Sequence, residues 1–341
     1  MRILIVKYGA LGDVVRTSYF ARSIKEKYNY DVDIWWLTTA MSCPLIRFNP
    51  YIDHIVLDTQ LVVKEKFDII YSLDDEATIL NDIRNIATNR LVGAYLNDQN
   101  KQCYTEDSAI WFDMGLISRY GRIEADVRKK LNKLGHAEIF KKIFEVDKVY
   151  PEFFNSEIIG QHKNVKITKS LGNGFVVGIN PFAGVRWKSK AINEKTVFDL
   201  IDYFLQNQIN EQKVYLNLIG AGADFDKNIE IWHKFGCNPR ILVPDTRDSV
   251  FKLAAVIKNL NLLVSTDSLA LHLALSQKVP SVGIFTATSA AEIDSFGLLA
   301  KVLSTAPDYC SYKPEADNTA IHLSHIVTEV KNYFASSFVT T

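Results

Sequence analysis

Short apolar runs that read as strands alternate with amphipathic runs that read as helices, and they do so in two series along this chain. Arg2 to Val6, Val32 to Leu37, Phe67 to Leu73 and Arg90 to Tyr95 are strand-like, while Asp13 to Lys27 and Ala77 to Ala87 have helical spacing. Such alternation argues for βαβ units and a parallel sheet. Trp111 to Phe144 looks mostly helical and carries many charges. Periodicity is then lost from Val149 to Asn173, in "VYPEFFNSEIIGQHKNVKITKSLGNG", where a domain boundary is expected. The second series starts at Phe175. "FVVGIN", "VYLNLIG", Asn261 to Ser265 and "PSVGIF" read as strands; Glu194 to Gln208, Asp226 to Phe235, Ser249 to Lys258 and Leu269 to Ser276 read as helices. His322 to Phe334 is a closing amphipathic helix. The expected fold class is therefore α/β, with two Rossmann-like domains facing a central cleft. The expected domains are residues 1–172 and 173–320, with the helical tail 321–341 packing back on the first.

With 341 residues the chain can hold two such domains. It has 48% hydrophobic and 23% charged residues, as a soluble globular protein does. Lys plus Arg equals Asp plus Glu at 39 each, so the charge balance does not point to nucleic acid. No uninterrupted apolar run is long enough to span a bilayer. "MRILIVKYGALGD" reads as a first strand rather than a signal peptide, so a cytoplasmic protein is expected. Cys43, Cys103, Cys237 and Cys310 are widely spaced with no C-x-x-C pair, which suits free thiols rather than a zinc or iron–sulfur site.

Four blocks carry polar chemistry. In "KYGALGDVVRT", Lys7 to Thr17, a strand ends and Gly9 and Gly12 let the backbone turn. Asp13 stands at the mouth of the next helix, either as a cap or as a carboxylate free to take a proton. The spacing is not G-x-G-x-x-G, so a nicotinamide dinucleotide is not signalled. In "GINPFAGVRWKSKAI", Gly178 to Ile192, Asn180 ends a strand and Arg186, Lys188 and Lys190 follow. Three cations in five residues suit a diphosphate, or else form a solvated basic loop. In "NLIGAGADFDKN", the Gly220–Gly222 turn between strand and helix could admit a nucleotide. Asp224 and Asp226 there form a D-x-D, as do Asp31 and Asp33, but neither pair is read as a metal site. The last block is "LVSTDSLALHLALSQKVPSVGIFTATSAAEIDSFG", Leu263 to Gly297. Thr266, Asp267 and Ser268 make a polar turn before a helix that begins at Leu269. Asp267 or Ser268 could cap that helix, whose start is a ready anion site. His272 lies one turn on, as a core histidine or a ligand group. Thr286, Thr288 and Ser289 could cap a next helix or touch a ligand. Asp74, Asp75 and Glu76 at a strand end read as solvated helix-start charges. Hydrolase and P-loop motifs such as G-x-S-x-G, H-E-x-x-H and G-x-x-x-x-G-K-[ST] are missing.

Taken together and in order, these blocks resemble the heptosyltransferase family, glycosyltransferase family 9, from residue 1 to about 300. "ILIVKYGALGDVVRT" looks like the family's opening strand, loop and helix. "INPFAGVRWKSKAI" looks like its N-P-G-A-x…K-x-W-P block, "STDSLALHLAL" like its [SG]-x-D-[ST]-x-x-x-H block and "FTATSAAEIDSFG" like its F-G-P-T-S-x-x-E block. The resemblance implies the GT-B architecture and transfer of a heptose from ADP-heptose to a sugar hydroxyl, usually in the lipopolysaccharide inner core, with inversion at the anomeric carbon. It implies Asp13 as general base on the acceptor and Lys190 at the donor phosphates. Asp267 would contact the donor sugar, the backbone of Ser268 and Leu269 would reach the phosphates, and His272 would close that block. Asn180, Arg186, Lys188, Gly220, Gly222 and Thr266 fall on the donor side, and Lys7, Gly9 and Gly12 on the acceptor side.

The first domain would then bind acceptor and the second the nucleotide sugar. Preorganised cations and helix N–H groups can stabilise a departing ADP, so no metal and no cofactor beyond the sugar nucleotide are expected. A lipid-linked glycan acceptor would place the enzyme peripherally at the inner membrane face. Phe182 departs from the family's Gly, Ile192–Asn193 from Trp–Pro and Thr286–Ala287 from Gly–Pro. Lys188 and Lys190 could exchange roles. Relatives that modify autotransporters carry an iron-binding cysteine cluster near the C-terminus; only Cys310 stands here, so no iron is expected. The alternatives are a GT-B enzyme using a UDP- or GDP-sugar, a related epimerase, or a non-catalytic sugar-nucleotide-binding member.

Overall fold

The computed structural model describes residues 1–154, 174–184, 188–220, 222–313 and 315–336. The expected boundary at 172–173 and the candidate Arg186 lie outside them. The described chain divides into two compact units. One comprises Met1–Phe154 with Ala291–Asp294, and the other the remainder. No helix among the described residues is long and apolar enough to cross a membrane.

In the first unit, β1 (Arg2–Val6), β2 (Asp33–Leu37), β3 (His54–Val56), β4 (Lys66–Ser72), β5 (Ala87–Leu96) and β6 (Gln102–Tyr104) form a sheet of order β3-β2-β1-β4-β5-β6. All pairs are parallel except β5 with β6. The central strands are buried on both faces, which is why "ILIV" and "IIY" read as unbroken apolar runs. The order reverses between β1 and β4, so their carboxyl ends open a crevice where ligands bind in such sheets.

Several expectations for this unit are corrected. The helix foreseen over Asp13–Lys27 is two helices, Leu11–Ser18 and Ala21–Lys27. The break falls where the Tyr19 carbonyl accepts from Tyr150 N–H at 3.1 Å. Phe20 there packs with Phe140 and Phe144. Ala87 starts β5 rather than ending a helix, because the helix stops at Ile83. The helical stretch foreseen to Phe144 resolves into Ala109–Phe112, Arg122–Leu131 and His136–Phe144. The last of these follows Gly135, which gives it no side-chain cap. Asp294 supplies one, accepting from Ala137 N–H at 2.8 Å, so Ala291–Asp294 belongs to this unit although the sequence expectation placed it in the second.

In the second unit, β7 (Phe175–Asn180), β8 (Gln208–Ile209), β9 (Gln212–Leu218), β10 (Ile241–Leu242), β11 (Leu262–Thr266), β12 (Ser281–Phe285) and β13 (Leu299–Leu303) build the sheet β10-β9-β7-β11-β12-β13. Its pairs are parallel, and β8 adds an antiparallel edge to β9. The order reverses between β7 and β11. The foreseen helices appear as Glu194–Gln206, Ala223–Lys234, Val250–Lys258 and Leu269–Ser276. Val177, Ile179, Leu216, Val264 and Val282 form the core with Leu200 and Phe204 of the first helix. The closing helix, Leu323–Ser336, was expected to pack back on the first domain. Its buried Ile326 and Val330 belong to this second core, against β13 and β12. No helix follows β12: residues 286–298 run as loop and turn to β13.

Candidate functional site

The first group of candidates stands at the carboxyl end of β1. Lys7 extends β1 by one residue and its side chain is buried. Its ammonium meets Asp74, just past β4, and Asp74 also accepts from Tyr8 N–H. Burial alone would lower the Lys7 pKa. Asp74, with help from Asp13, outweighs this and raises it. Asp74 is thus a buried partner rather than the solvated helix-start charge expected. Because Val6 pairs with Ser72 in register, a carboxylate two residues beyond Ser72 can reach the loop beyond Val6. Gly9 is not left-handed, and a β-carbon there would meet open space, so the turn does not need a glycine at that position. Gly12 and Asp13 occupy the first turn of helix Leu11–Ser18, and Asp13 does not cap it. Its carboxylate instead pairs with Arg16, at 2.8 and 3.0 Å, while Arg16 also donates to the Glu292 carbonyl at 3.1 Å. Asp13 is one-third exposed and Arg16 is buried. Arg16 was not foreseen; its place three residues after Asp13, on one helix face, is the signal that could have found it.

The second group surrounds the reversal between β7 and β11. Asn180 and Ser265 are register partners there, and the Asn180 amide donates to Ser265 Oγ at 3.0 Å and Ser268 Oγ at 2.8 Å. That claims the Ser268 hydroxyl, so Ser268 occupies the N-cap position of helix Leu269–Ser276 without a capping bond. Asp267 does not cap either. Its Oδ2 accepts from Lys190 Nζ and from Thr288 Oγ1, both at 2.8 Å, and its Oδ1 lies 3.8 Å from His272 Nε2. The expectation that one of them caps the helix is therefore corrected: both side chains are drawn into the turn. Burial would lift the Asp267 pKa. Lys190, then His272 and the hydrogen bonds from Lys190 and Thr288, outweigh it and hold the carboxyl well below the usual range. His272 is buried but sits within this cluster, so it is more than a core residue.

Lys190, not Lys188, is the cation drawn in: Lys188 is exposed, whereas the Lys190 side chain is largely covered. The turn Lys188–Lys190 is held by Thr286, whose hydroxyl donates to the Ser189 carbonyl at 2.6 Å, and by Ser189 donating to the Lys313 carbonyl. Asn193 caps the next helix by accepting from Thr196 N–H at 2.9 Å. The Phe182 carbonyl accepts from Thr266 Oγ1 and Asn180 Nδ2. The departures at Thr286 and Asn193 thus have local uses through their side chains, while the Phe182 ring packs against the second core with Lys227 Nζ over it at 4.6 Å. Thr288, foreseen as a cap or a ligand contact, is a partner of Asp267.

The Gly220–Gly222 turn opens helix Ala223–Lys234. Gly222 is left-handed at φ 55°, and a β-carbon on Gly220 would come within 2.8 Å of Asn228 and 3.0 Å of Asp224. Asp224 is buried and accepts from Gly184 N–H at 2.8 Å, tying the loop after β7 to this helix, whereas Asp226 turns outward to Arg247. The two carboxylates of that D-x-D diverge. The sequence marks Asp224 only as half of a D-x-D; its place in the first turn after two glycines is the feature that makes it reach back.

These features can be set beside known proteins. The model of glycosyltransferase family 9 (heptosyltransferase) matches residues 205–322. Lipopolysaccharide heptosyltransferase 1 of Campylobacter coli is 21% identical over 305 residues, covering 84% of each chain. The structure of E. coli ADP-heptose lps heptosyltransferase II superposes with a TM-score of 0.68 at 12% identity, covering 99% of both chains. E. coli heptosyltransferase WaaC with ADP-2-deoxy-2-fluoro heptose gives a TM-score of 0.62 at 13% identity, covering 97% of this chain and 99% of that one. At such identities the structural likeness speaks to the fold, two Rossmann-like units of GT-B type.

Proposed function

We propose that this chain, whose residues 205–322 match the model of glycosyltransferase family 9 (heptosyltransferase), moves a heptose from ADP-heptose to a hydroxyl of a lipopolysaccharide-core or related glycan. The proposed transfer inverts the anomeric carbon and needs no metal. The observation that carries this reading is the Lys190–Asp267–Thr288 cluster at the start of a helix that no side chain caps. A helix start without a side-chain cap offers N–H groups and a partial positive charge to an anion. Lys190 adds a full positive charge, held in place by Asp267. Together these suit the diphosphate of a sugar nucleotide and the charge that grows on it as it leaves.

In the proposed reaction the acceptor oxygen attacks the anomeric carbon as the bond from that carbon to the donor phosphate breaks. Asp13 takes the hydroxyl proton, and ADP departs with the electron pair. Arg16 orients the Asp13 carboxylate toward the acceptor hydroxyl. Lys190 and the backbone N–H groups of Ser268 and Leu269 receive the leaving diphosphate. Asp267 positions Lys190, and its Oδ1 edge with His272 is where donor sugar hydroxyls would be read. Asn180 and Thr266 hold the turn, Gly220 and Gly222 leave room for the nucleoside, Lys188 supplies outer charge, and Arg186 of the same basic run is proposed as a further donor-side cation. Lys7, Gly9 and Gly12 shape the acceptor side. The relatives' printed names, which include ADP-heptose and lipopolysaccharide, support the choice of donor and acceptor. The reaction would take place in the cytoplasm.

A transfer assay with ADP-heptose and a lipopolysaccharide-core acceptor tests this directly, with thermal shifts for ADP, UDP and GDP beside it. ADP should raise the melting temperature most and heptose should appear on the acceptor. A larger shift with UDP or GDP, and transfer only from their sugars, would move the assignment to another GT-B activity. No turnover with any donor would point to a binding protein.

A further inference from the structure

Helix Arg122–Leu131 of the first unit wears its apolar face outward. Ile123, Val127 and Leu131 are 85%, 44% and 69% exposed. At four-residue spacing they form one stripe along the helix. The helix's buried residue, Ala125, lies on the opposite side. Leu116 and Tyr120, just before the helix, are exposed as well. Such a face is ordinarily turned to a core; here it meets solvent beside a concentration of positive charge. Between Leu116 and Lys133 stand six Arg and Lys against two acidic residues, in a chain whose totals are equal. Arg119 is engaged by Glu106 and Asp113 before the segment, and the surplus is carried by Lys129, Lys130 and Lys133. Glu124 and Asp126 are both engaged within the helix, by Arg128 and Arg122. Lys130 is exposed on the border of the apolar stripe and Lys133 is exposed just past the helix end.

We propose that this helix docks the protein on an anionic lipid surface. The apolar stripe would lie at the boundary of headgroups and acyl chains, with Lys130 and Lys133 meeting lipid phosphates. The local positive surplus is what selects a negatively charged membrane over a second copy of this chain, since two such faces would bring like charges together. Ten residues and three apolar side chains make a weak, reversible anchor, suited to an enzyme that visits a membrane. The proposal draws on the reading above only in that a lipid-linked acceptor gives the docking a purpose; the docking itself does not depend on the sugar moved.

Flotation of the full chain with vesicles tests it. Phosphatidylglycerol–phosphatidylethanolamine vesicles should carry the protein and pure phosphatidylcholine vesicles should not. The triple variant I123S/V127S/L131S and the double variant K130E/K133E should each reduce flotation at least tenfold. Both should keep the wild-type melting temperature, the ADP thermal shift and transfer to a delipidated acceptor, because the changed side chains are exposed. The proposal is overturned if the wild type does not float with anionic vesicles, or if both variants float as it does. It is overturned equally if the wild type is a dimer that the triple variant dissolves, since the stripe is then an interface between copies. Loss of transfer from ADP-heptose by the wild type would count against the proposed reaction and leave flotation to be judged by itself.

Discussion

At the scale of single residues, the two carboxylates foreseen in the sequence sit in different electrostatic settings. Asp13 is one-third exposed and held by Arg16, so an acceptor hydroxyl can reach a carboxylate kept in one orientation. Asp13→Asn is expected to lower transfer by about 10²–10⁴-fold while the ADP thermal shift is kept, which steady-state kinetics and calorimetry together would check. Full activity of that variant would remove Asp13 as the base. Asp267 is covered and depressed in pKa. Its ionised form therefore stabilises the fold above the usual carboxylate range, and this contribution is lost as pH falls from that range toward its folded value. Urea unfolding from about pH 7 to about pH 3 should show wild type and Asp267→Asn drawing closer together as acid is added. A constant gap would mean that Asp267 carries no linked proton. Lys190→Ala should cost both function and stability: roughly 10²-fold or more in transfer, and about 3–5 kcal/mol from leaving Asp267 charged and unpaired. Both carboxylates and Lys190 were legible from residue type and order. Arg16 stands within one helical turn of Asp13, but Thr288 as the partner of Asp267 and Asp74 as the partner of Lys7 became so only once separate segments met.

At the scale of elements, two packed turns govern the site. The loop after β1 is held by Lys7 against Asp74, an ion pair whose side chains are at most one-tenth exposed. Asp74→Ala is expected to lose about 3–5 kcal/mol, measured by denaturant unfolding, because Lys7 is left as a buried charge. A loss under 1 kcal/mol would show that the Lys7 ammonium reaches water. The turn before helix Ala223–Lys234 has no room at Gly220. Gly220→Ala should lower stability by about 1–3 kcal/mol and weaken ADP binding, since Asn228 and Asp224 must move. Helix Leu269–Ser276 was foreseen with its observed ends, because its apolar run is long and flanked by a polar turn. Its cap was not, because Asn180, 88 residues upstream of Ser268, claims the serine hydroxyl. The short strands β3, β6, β8 and β10, of two or three residues, escaped notice because so few residues carry no period. The break at Tyr19 escaped for another reason: it depends on a hydrogen bond from Tyr150.

At the scale of the molecule, each unit has its own parallel sheet, its own core and its own reversal of strand order. A nucleotide held by the second unit should therefore slow hydrogen exchange near Asn180–Gly184, Asp267–His272 and Gly220–Asp224. It should leave the strands of the first unit unchanged; ADP protection centred on β1 or β4 would reverse the assignment of donor and acceptor sides. Most of the strands and helices in their order, the α/β class and the presence of two units were determined by the sequence itself. Local periodicity sets each element, and parallel sheets follow from alternation whatever the distant contacts are. The four polar blocks were likewise written in residue type. Tertiary structure alone decided which lysine meets Asp267, that Asp74 is buried, that Ala291–Asp294 joins the first unit and that the closing helix belongs to the second core. Those outcomes turn on hydrogen bonds and burial between segments far apart in the chain, and a hydrogen bond or an ion pair has no period for a sequence to display.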